Sequence, residues 1–207
     1  MKLYVAQRAP NPRRVQMFIA EKGIEGITQE NVDILQDQHR TPDYLVKSPL
    51  AKVPVLELDD GRALGESRAI CSYLEGLYPE PNLMGVDATE RAFIEAVDRQ
   101  IETTLLIQIA HAARHTHPAL AVLEQPQFGD YGRSQAEKAA ATAAVFDRIL
   151  QGQEWMAGSR FTIADITAFC ALEFGRGLLK MTPAGMGLPT LQAWRDKVAA
   201  RPSSKAG

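Results

Sequence analysis

Residues 79–83, PEPNL, separate two stretches of different character. Before them strand-like and helix-like runs alternate; after them the strand signals vanish and alanine-rich helical periodicity takes over. A chain of 207 residues has room for one large domain or two small ones, at roughly 100 to 200 residues each. The change at this link argues for two, over residues 1–80 and 88–207. In the first, KLYVAQ reads as a strand. Asn11 and Pro12 supply an N-cap and a first-turn proline for a helix carrying Val15, Phe18 and Ile19 at helical spacing, and Gly23 closes it. A second strand is expected over about Ile27 to Ile34, and Thr41-Pro42 opens a short helix that Pro49 must end. VPVLEL, DDG and RALG read as a β-hairpin with Asp-Gly turn chemistry. A third helix starts at Ser67 with Ile70, Leu74 and Leu77 on one face. That order implies a small mixed sheet with helices packed on it. Beyond the link, helices are expected at about 88–115, 135–156, 162–180 and 189–200.

The balance of charge excludes some partners. Residues 1–80 hold 10 Lys/Arg against 12 Asp/Glu, and the remainder 13 against 13. Neither part is a basic surface for nucleic acid or an acidic tail. The start MKLYVAQRAPNPRR has no apolar run behind a basic one, and no stretch approaches the roughly 18 apolar residues of a membrane span. The protein is therefore expected in the cytoplasm, away from membranes. Cys71 and Cys170 form no C-x-x-C pair, so neither a disulfide nor a metal site is expected and both belong in the core.

Two short motifs carry the chemistry. Lys52-Val53-Pro54-Val55-Leu56 sets a proline inside a strand-like run, where it removes a ladder donor. A trans proline on an edge strand is one solution. A cis Val53-Pro54 bond is the other, and it turns the N–H and C=O of Val53 outward to pair with an extended peptide-like ligand. Glu66-Ser67 opens the third helix, where unpaired N–H groups and partial positive charge suit a carboxylate. Ser67 adds a hydroxyl, and Glu66 can hold an ammonium group. As a pair they fit an α-amino acid end, such as the γ-glutamyl group of glutathione; they also fit a plain helix cap.

VPVLELDDG, GESRAI, the proline-rich link and FTIADI, in this order, resemble the soluble glutathione transferases over essentially the whole chain. The resemblance implies an α/β thioredoxin-like N-terminal domain followed by an all-α C-terminal helical domain. It implies that Val53 pairs by backbone with the cysteinyl part of glutathione, that Pro54 is cis, and that Glu66 and Ser67 hold the γ-glutamyl end. Lys52 and His39 stand where similar proteins place cations for the glycyl carboxylate. Thr162 and Asp165, a capping-box pair, belong to folding. The activity implied is conjugation of glutathione to a small hydrophobic electrophile, of the kind used in detoxification, by a homodimer that needs no metal. The second substrate is expected between the domains, on the apolar face of the helix around 105–115 and near Phe174. Glutathione-dependent reduction of disulfides or peroxides, and a non-catalytic glutathione-binding module, are the competing functions.

The family pattern breaks at position 9. Serine- and cysteine-type members carry the thiol-activating side chain there, before a proline and five residues ahead of an arginine. This chain has Ala9, which donates no hydrogen bond, and Tyr4 lies inside the first strand. Three substitutes are open. Asn11 can donate through its amide; the backbone N–H groups of Asn11 and Arg13 can act with the helix dipole; or a histidine from the helical domain can serve. His115 and His111, four residues apart on one helix face, are the candidates. AHAARHTHP resembles a fungal and bacterial branch of the family that lacks the usual Tyr, Ser or Cys.

Overall fold

The computed structural model describes residues 1–207. The chain forms two compact units, Met1–Asn82 together with Pro202–Gly207, and Leu83–Arg201. The first unit contains β1 (Lys2–Val5), α1 (Pro10–Glu21), β2 (Thr28–Asn31), α2 (Pro42–Leu45), β3 (Val55–Glu57), β4 (Ala63–Gly65) and α3 (Ser67–Leu77). Its sheet runs β2-β1-β3-β4, with β1 and β2 parallel and the other pairs antiparallel. The parallel pair requires a crossover, which α1 supplies. Leu3, Val15, Phe18, Leu56, Ile70 and Leu74 are fully buried. This is the small mixed sheet that the order of elements implied, in the thioredoxin-like α/β arrangement that the family resemblance implied.

Three local expectations change. Ala9, not Asn11, is the N-cap of α1, because Pro10 already has the fixed φ of a first helical residue. Strand β2 stops at Asn31, since the Asp33 carboxylate accepts from the N–H groups of Leu35 and Gln36 and folds Ile34–Gln36 into a 3₁₀ turn. Leu77, at the frayed end of α3, is half exposed, whereas Ile70, Cys71 and Leu74 are buried. The link is anchored by Lys22, whose ammonium is paired with Glu75 at 2.6 Å and donates to the carbonyls of Tyr78 and Pro81. The last residues, counted with the helical domain from sequence, return to α1: Arg13 Nη2 donates to the Ser204 carbonyl at 2.8 Å.

The second unit is all-α: α4 (Ala88–Ile101), α5 (Ile107–Thr116), α6 (Gly129–Ile149), α7 (Ile163–Leu179) and α8 (Pro189–Ala199). The single helix expected over 88–115 is broken by a π-turn at Glu102–Leu106. There the Thr103 and Thr104 hydroxyls bond back to the carbonyls of Arg99 and Gln100, competing with the helical ladder. Helix α6 starts six residues earlier than position 135, at Gly129, and carries Gly132 inside it. A Cβ on Gly132 would lie 2.6 Å from Thr116 Cγ2 and 3.0 Å from His115 Cβ, so glycine there lets α5 and α6 close together. It ends at Ile149, before the Gln151-Gly152 turn.

Helix α7 runs through the middle of this unit, with twelve buried residues that include Asp165 and Thr167. The capping box at Thr162 and Asp165 is present. Asp165 also accepts from the Met156 N–H and the Trp194 indole N–H, both at 2.9 Å. One carboxylate thus ties the start of α7 to the preceding loop and to α8. Cys71 and Cys170 are both free and buried. No helix is long and apolar enough to cross a membrane.

Candidate functional site

The sheet register brings four loops to one end of the first unit. Tyr4 lies opposite Val55, and Val55 opposite Gly65. The turn from β1 into α1, the Val53-Pro54 loop before β3, and the Glu66-Ser67 junction after β4 therefore share an edge. Parallel β2 sends its C-terminal end to the same side. Four of the five non-glycine residues with positive φ, namely Arg8, Asp37, Ala51 and Glu66, lie on these loops; the fifth, Lys180, caps α7. Such conformations persist only where surrounding structure fixes them, and they gather at binding sites.

The Val53-Pro54 bond is cis. Neither the N–H nor the C=O of Val53 is used in a hydrogen bond within the chain, so both remain for an extended ligand. The loop is fixed on either side of that residue. The Val53 side chain packs on a cluster of Tyr4, Val32, Tyr44 and Val55. The Tyr44 hydroxyl donates to the Lys52 carbonyl at 2.8 Å, and Ser48 Oγ bonds both the Lys52 N–H and C=O. Burial pushes the Tyr44 phenol up to about 12, which keeps it a donor.

Helix α3 begins without a side-chain cap. Its first helical bond runs from Ile70 N–H to Glu66 C=O, leaving the N–H groups of Ser67 and Ala69 without a chain acceptor. Ser67 is buried, and its hydroxyl accepts from Nη1 of Arg14 at 2.9 Å. Arg14 is the arginine five residues beyond position 9, and the sequence reading gives it no contact with the site. The available signal was a charged residue four positions before Phe18, on the buried face of α1. Glu66 is exposed with φ 63° and ψ 112°, a conformation an L residue adopts only under constraint. Glu66→Gly is expected to raise the unfolding free energy by about 1 kcal/mol while weakening glutathione binding. Urea unfolding and calorimetry on the same variant check the two effects.

At the start of α1, Ala9 presents only a methyl group. Arg13 N–H donates to the Ala9 carbonyl at 3.2 Å, so it is spent inside the helix and is not the thiol donor entertained from sequence. Pro10 and Pro12 have no N–H. Asn11 remains: it is exposed at the second helical position, with neither its amide nor its N–H bonded within the chain. Of the two cation candidates, Lys52 is exposed, whereas His39 is buried in the 3₁₀ turn Gln38–Arg40 and its Nε2 accepts from Arg40 Nε.

In the helical unit, His111 and His115 do share a face. His111 Nδ1 bonds the Tyr131 hydroxyl at 2.9 Å. His115 Nδ1 accepts from the Phe128 N–H at 3.1 Å, and its ring stands edge-on to Tyr131. That bond fixes the tautomer with the proton on Nε2, which lies 3.8 Å from the Glu124 carboxylate. His115 thus braces the start of α6. The apolar face expected to receive a second substrate is occupied by the core of the unit itself. Leu105, Leu106, Ile109, Ala112 and Ala113 are buried, while Ile107, Phe128 and Tyr131 are the large apolar side chains left open nearby.

The fold has counterparts in known proteins. Residues 3–82 match the family model for the glutathione S-transferase N-terminal domain, and residues 112–202 that for the C-terminal domain. Glutathione S-transferase 2 of Saccharomyces cerevisiae is 31% identical over 207 residues, covering 99% of this chain and 88% of that protein. Maleylacetoacetate isomerase of Pseudomonas aeruginosa is 29% identical over 80% of this chain and 77% of its own. A solved structure of a glutathione S-transferase domain-containing protein from Marinobacter aquaeolei superposes with a TM-score of 0.92 at 40% identity, covering 98% of this chain and 99% of that one. The chain belongs to the glutathione S-transferase family.

Proposed function

We propose that this protein binds glutathione along the shared sheet edge and conjugates its thiolate to a small hydrophobic electrophile. The observation that carries the reading is the unpaired Val53 backbone beside cis Pro54, on the same edge as the uncapped start of α3. Val53 pairs with the cysteinyl residue as a short strand does. The α-carboxylate of the γ-glutamyl group sits on the Ser67 hydroxyl and the first N–H groups of α3, its ammonium on Glu66. Lys52 is the exposed cation for the glycyl carboxylate, and His39 the second candidate for it. Ile107, Phe128 and Tyr131 favour an apolar second substrate. By the same family reading the enzyme is a cytoplasmic homodimer that clears reactive electrophiles.

The chemical task is to keep the thiol ionised. Lowering a thiol pKa of about 8.5 by two units takes roughly 2.7 kcal/mol, and a helix N-terminus supplies up to about 2 kcal/mol in a partly buried geometry. The amide of Asn11 gives the remaining donor at the start of α1. The Nε2 proton of His115 is the second candidate, with His111 positioning the neighbouring Tyr131. The thiolate then forms a C–S bond as the leaving group departs with its electron pair, or as the pair moves onto an acceptor atom that is protonated by water. Cys71 and Cys170, at 0% and 1% exposure, offer no thiol for a mixed disulfide with the protein. Conjugation is favoured over protein-thiol reduction on that ground.

Steady-state kinetics with an aryl halide and glutathione test the reading. The parent enzyme is expected to form the thioether. Ser67→Ala is expected to raise KM for glutathione by about 10- to 100-fold, the worth of one hydrogen bond to a charged group, with kcat changed little. An absence of thioether, or an unchanged KM in the variant, contradicts it.

A further inference from the structure

We infer that Arg14, which touches no solvent, is a positioning residue that aims the Ser67 hydroxyl at the α-carboxylate of the γ-glutamyl group; this rests on the glutathione reading above. A guanidinium has donors only, so in the buried Arg14–Ser67 bond of 2.9 Å the serine oxygen must accept. With one lone pair held by a cation, the hydroxyl proton turns away from Arg14. It points out of the packed α1–α3 contact, toward the uncapped start of α3. An unheld serine rotor spreads its proton among several directions; this one is fixed before the ligand arrives, which removes an ordering cost from binding.

The bond acts on the donor as well as on its direction. A hydroxyl that accepts from a cation is polarised and donates more strongly, the more so in a site shielded from water. Arg14 is 0% exposed and Ser67 4%, so both ends of the relay are shielded. The two contributions serve one oxygen pair of the ligand. They do nothing for its thiol or its glycyl end.

That selectivity makes the inference testable apart from folding. Calorimetric dissociation constants are measured for glutathione and for 4-aminobutyryl-cysteinyl-glycine, which lacks only the α-carboxylate. The proteins are the parent, Arg14→Met, Arg14→Lys, Ser67→Ala and the Arg14→Met/Ser67→Ala double variant. Arg14→Met is expected to weaken glutathione by about 10- to 100-fold and the analogue by less than about 3-fold. The double variant is expected to bind glutathione no more weakly than Ser67→Ala within about 3-fold, because one route carries both effects. Arg14→Lys, which keeps a charged donor, is expected to recover part of the preference for glutathione over the analogue. If Arg14→Met fails to fold, the ratio in Arg14→Lys decides: a value between those of the parent and Ser67→Ala supports the relay, and a parent value overturns it. Equal losses toward both ligands, or additive losses in the double variant, also overturn it. A parent that binds neither ligand defeats the glutathione reading itself. A parent that prefers glutathione, with an unchanged ratio in the Arg14 variants, defeats only the relay.

Discussion

Asp165→Ala is expected to lower the free energy of unfolding by about 3–5 kcal/mol at neutral pH, the range for breaking a buried polar network. The carboxylate satisfies the N–H groups of Met156 and Thr162 and the Trp194 indole in the interior of the helical unit. Alanine leaves these donors without an acceptor and removes the N-terminal box of α7. The loss reaches three segments at once, since Met156 lies in the loop before α7 and Trp194 on α8. The loss also depends on pH. Burial pushes the Asp165 carboxyl from 3.8 up to about 6, against the pull of its hydrogen bonds. The folded state therefore holds the proton more tightly than the unfolded chain. This contribution to stability is fully present below about pH 4 and falls as pH rises to about 6, by roughly 3 kcal/mol. The gap between parent and Asp165→Ala in urea unfolding is thus expected to be larger at pH 4 than at pH 7. A gap that grows with pH, or a loss below about 1 kcal/mol, contradicts the account.

Asn11→Ala is expected to cut kcat/KM for conjugation about 5- to 50-fold at pH 6.5, with a much smaller loss at pH 9. A hydrogen bond to an anion is worth about 1.5–3 kcal/mol, which is about one to two units of thiol pKa. Below the pKa, each unit of increase removes a factor of about ten in thiolate; above it, the thiol ionises without help. The loss therefore belongs at low pH. Asn11 is exposed and bonded to nothing else in the chain, so folding is expected to be unaffected. His115→Ala, by contrast, is expected to reduce stability, since it removes the acceptor for the Phe128 N–H at the start of α6. A pH-independent loss in Asn11→Ala would remove it from thiol activation.

The sequence carried the architecture where local rules and packing agree. The alternation of strands and helices before PEPNL, the Asp-Gly hairpin and the Thr162–Asp165 box all appear in the structure, because each is set by residues close in the chain. It misled where one rule competed with another. Asn11 was the better capping residue by type, yet Pro10 had already fixed the start of α1. Helix α6 starts at Gly129 rather than at 135, and the use of Gly132 in α5–α6 packing depends on atoms across the interface. The Val53-Pro54 and Glu66-Ser67 motifs were legible because both are local. Their meeting at one sheet edge with the start of α1 came only from the strand register. The Arg14–Ser67 bond spans 53 positions and left no local trace beyond a charge on an apolar helix face.

The central claim is that glutathione lies on the Val53–Ser67 edge with its thiol ionised at the start of α1. The direct measurement is the thiolate absorbance of the protein–glutathione complex, titrated with pH in the parent, Asn11→Ala and His115→Ala proteins. The expected result is a bound thiol in the parent about two units below its free value of about 8.5, raised by about one unit or more in Asn11→Ala and unchanged in His115→Ala. A parent complex that titrates at the free value contradicts the account, and so does a depressed value lost only in His115→Ala.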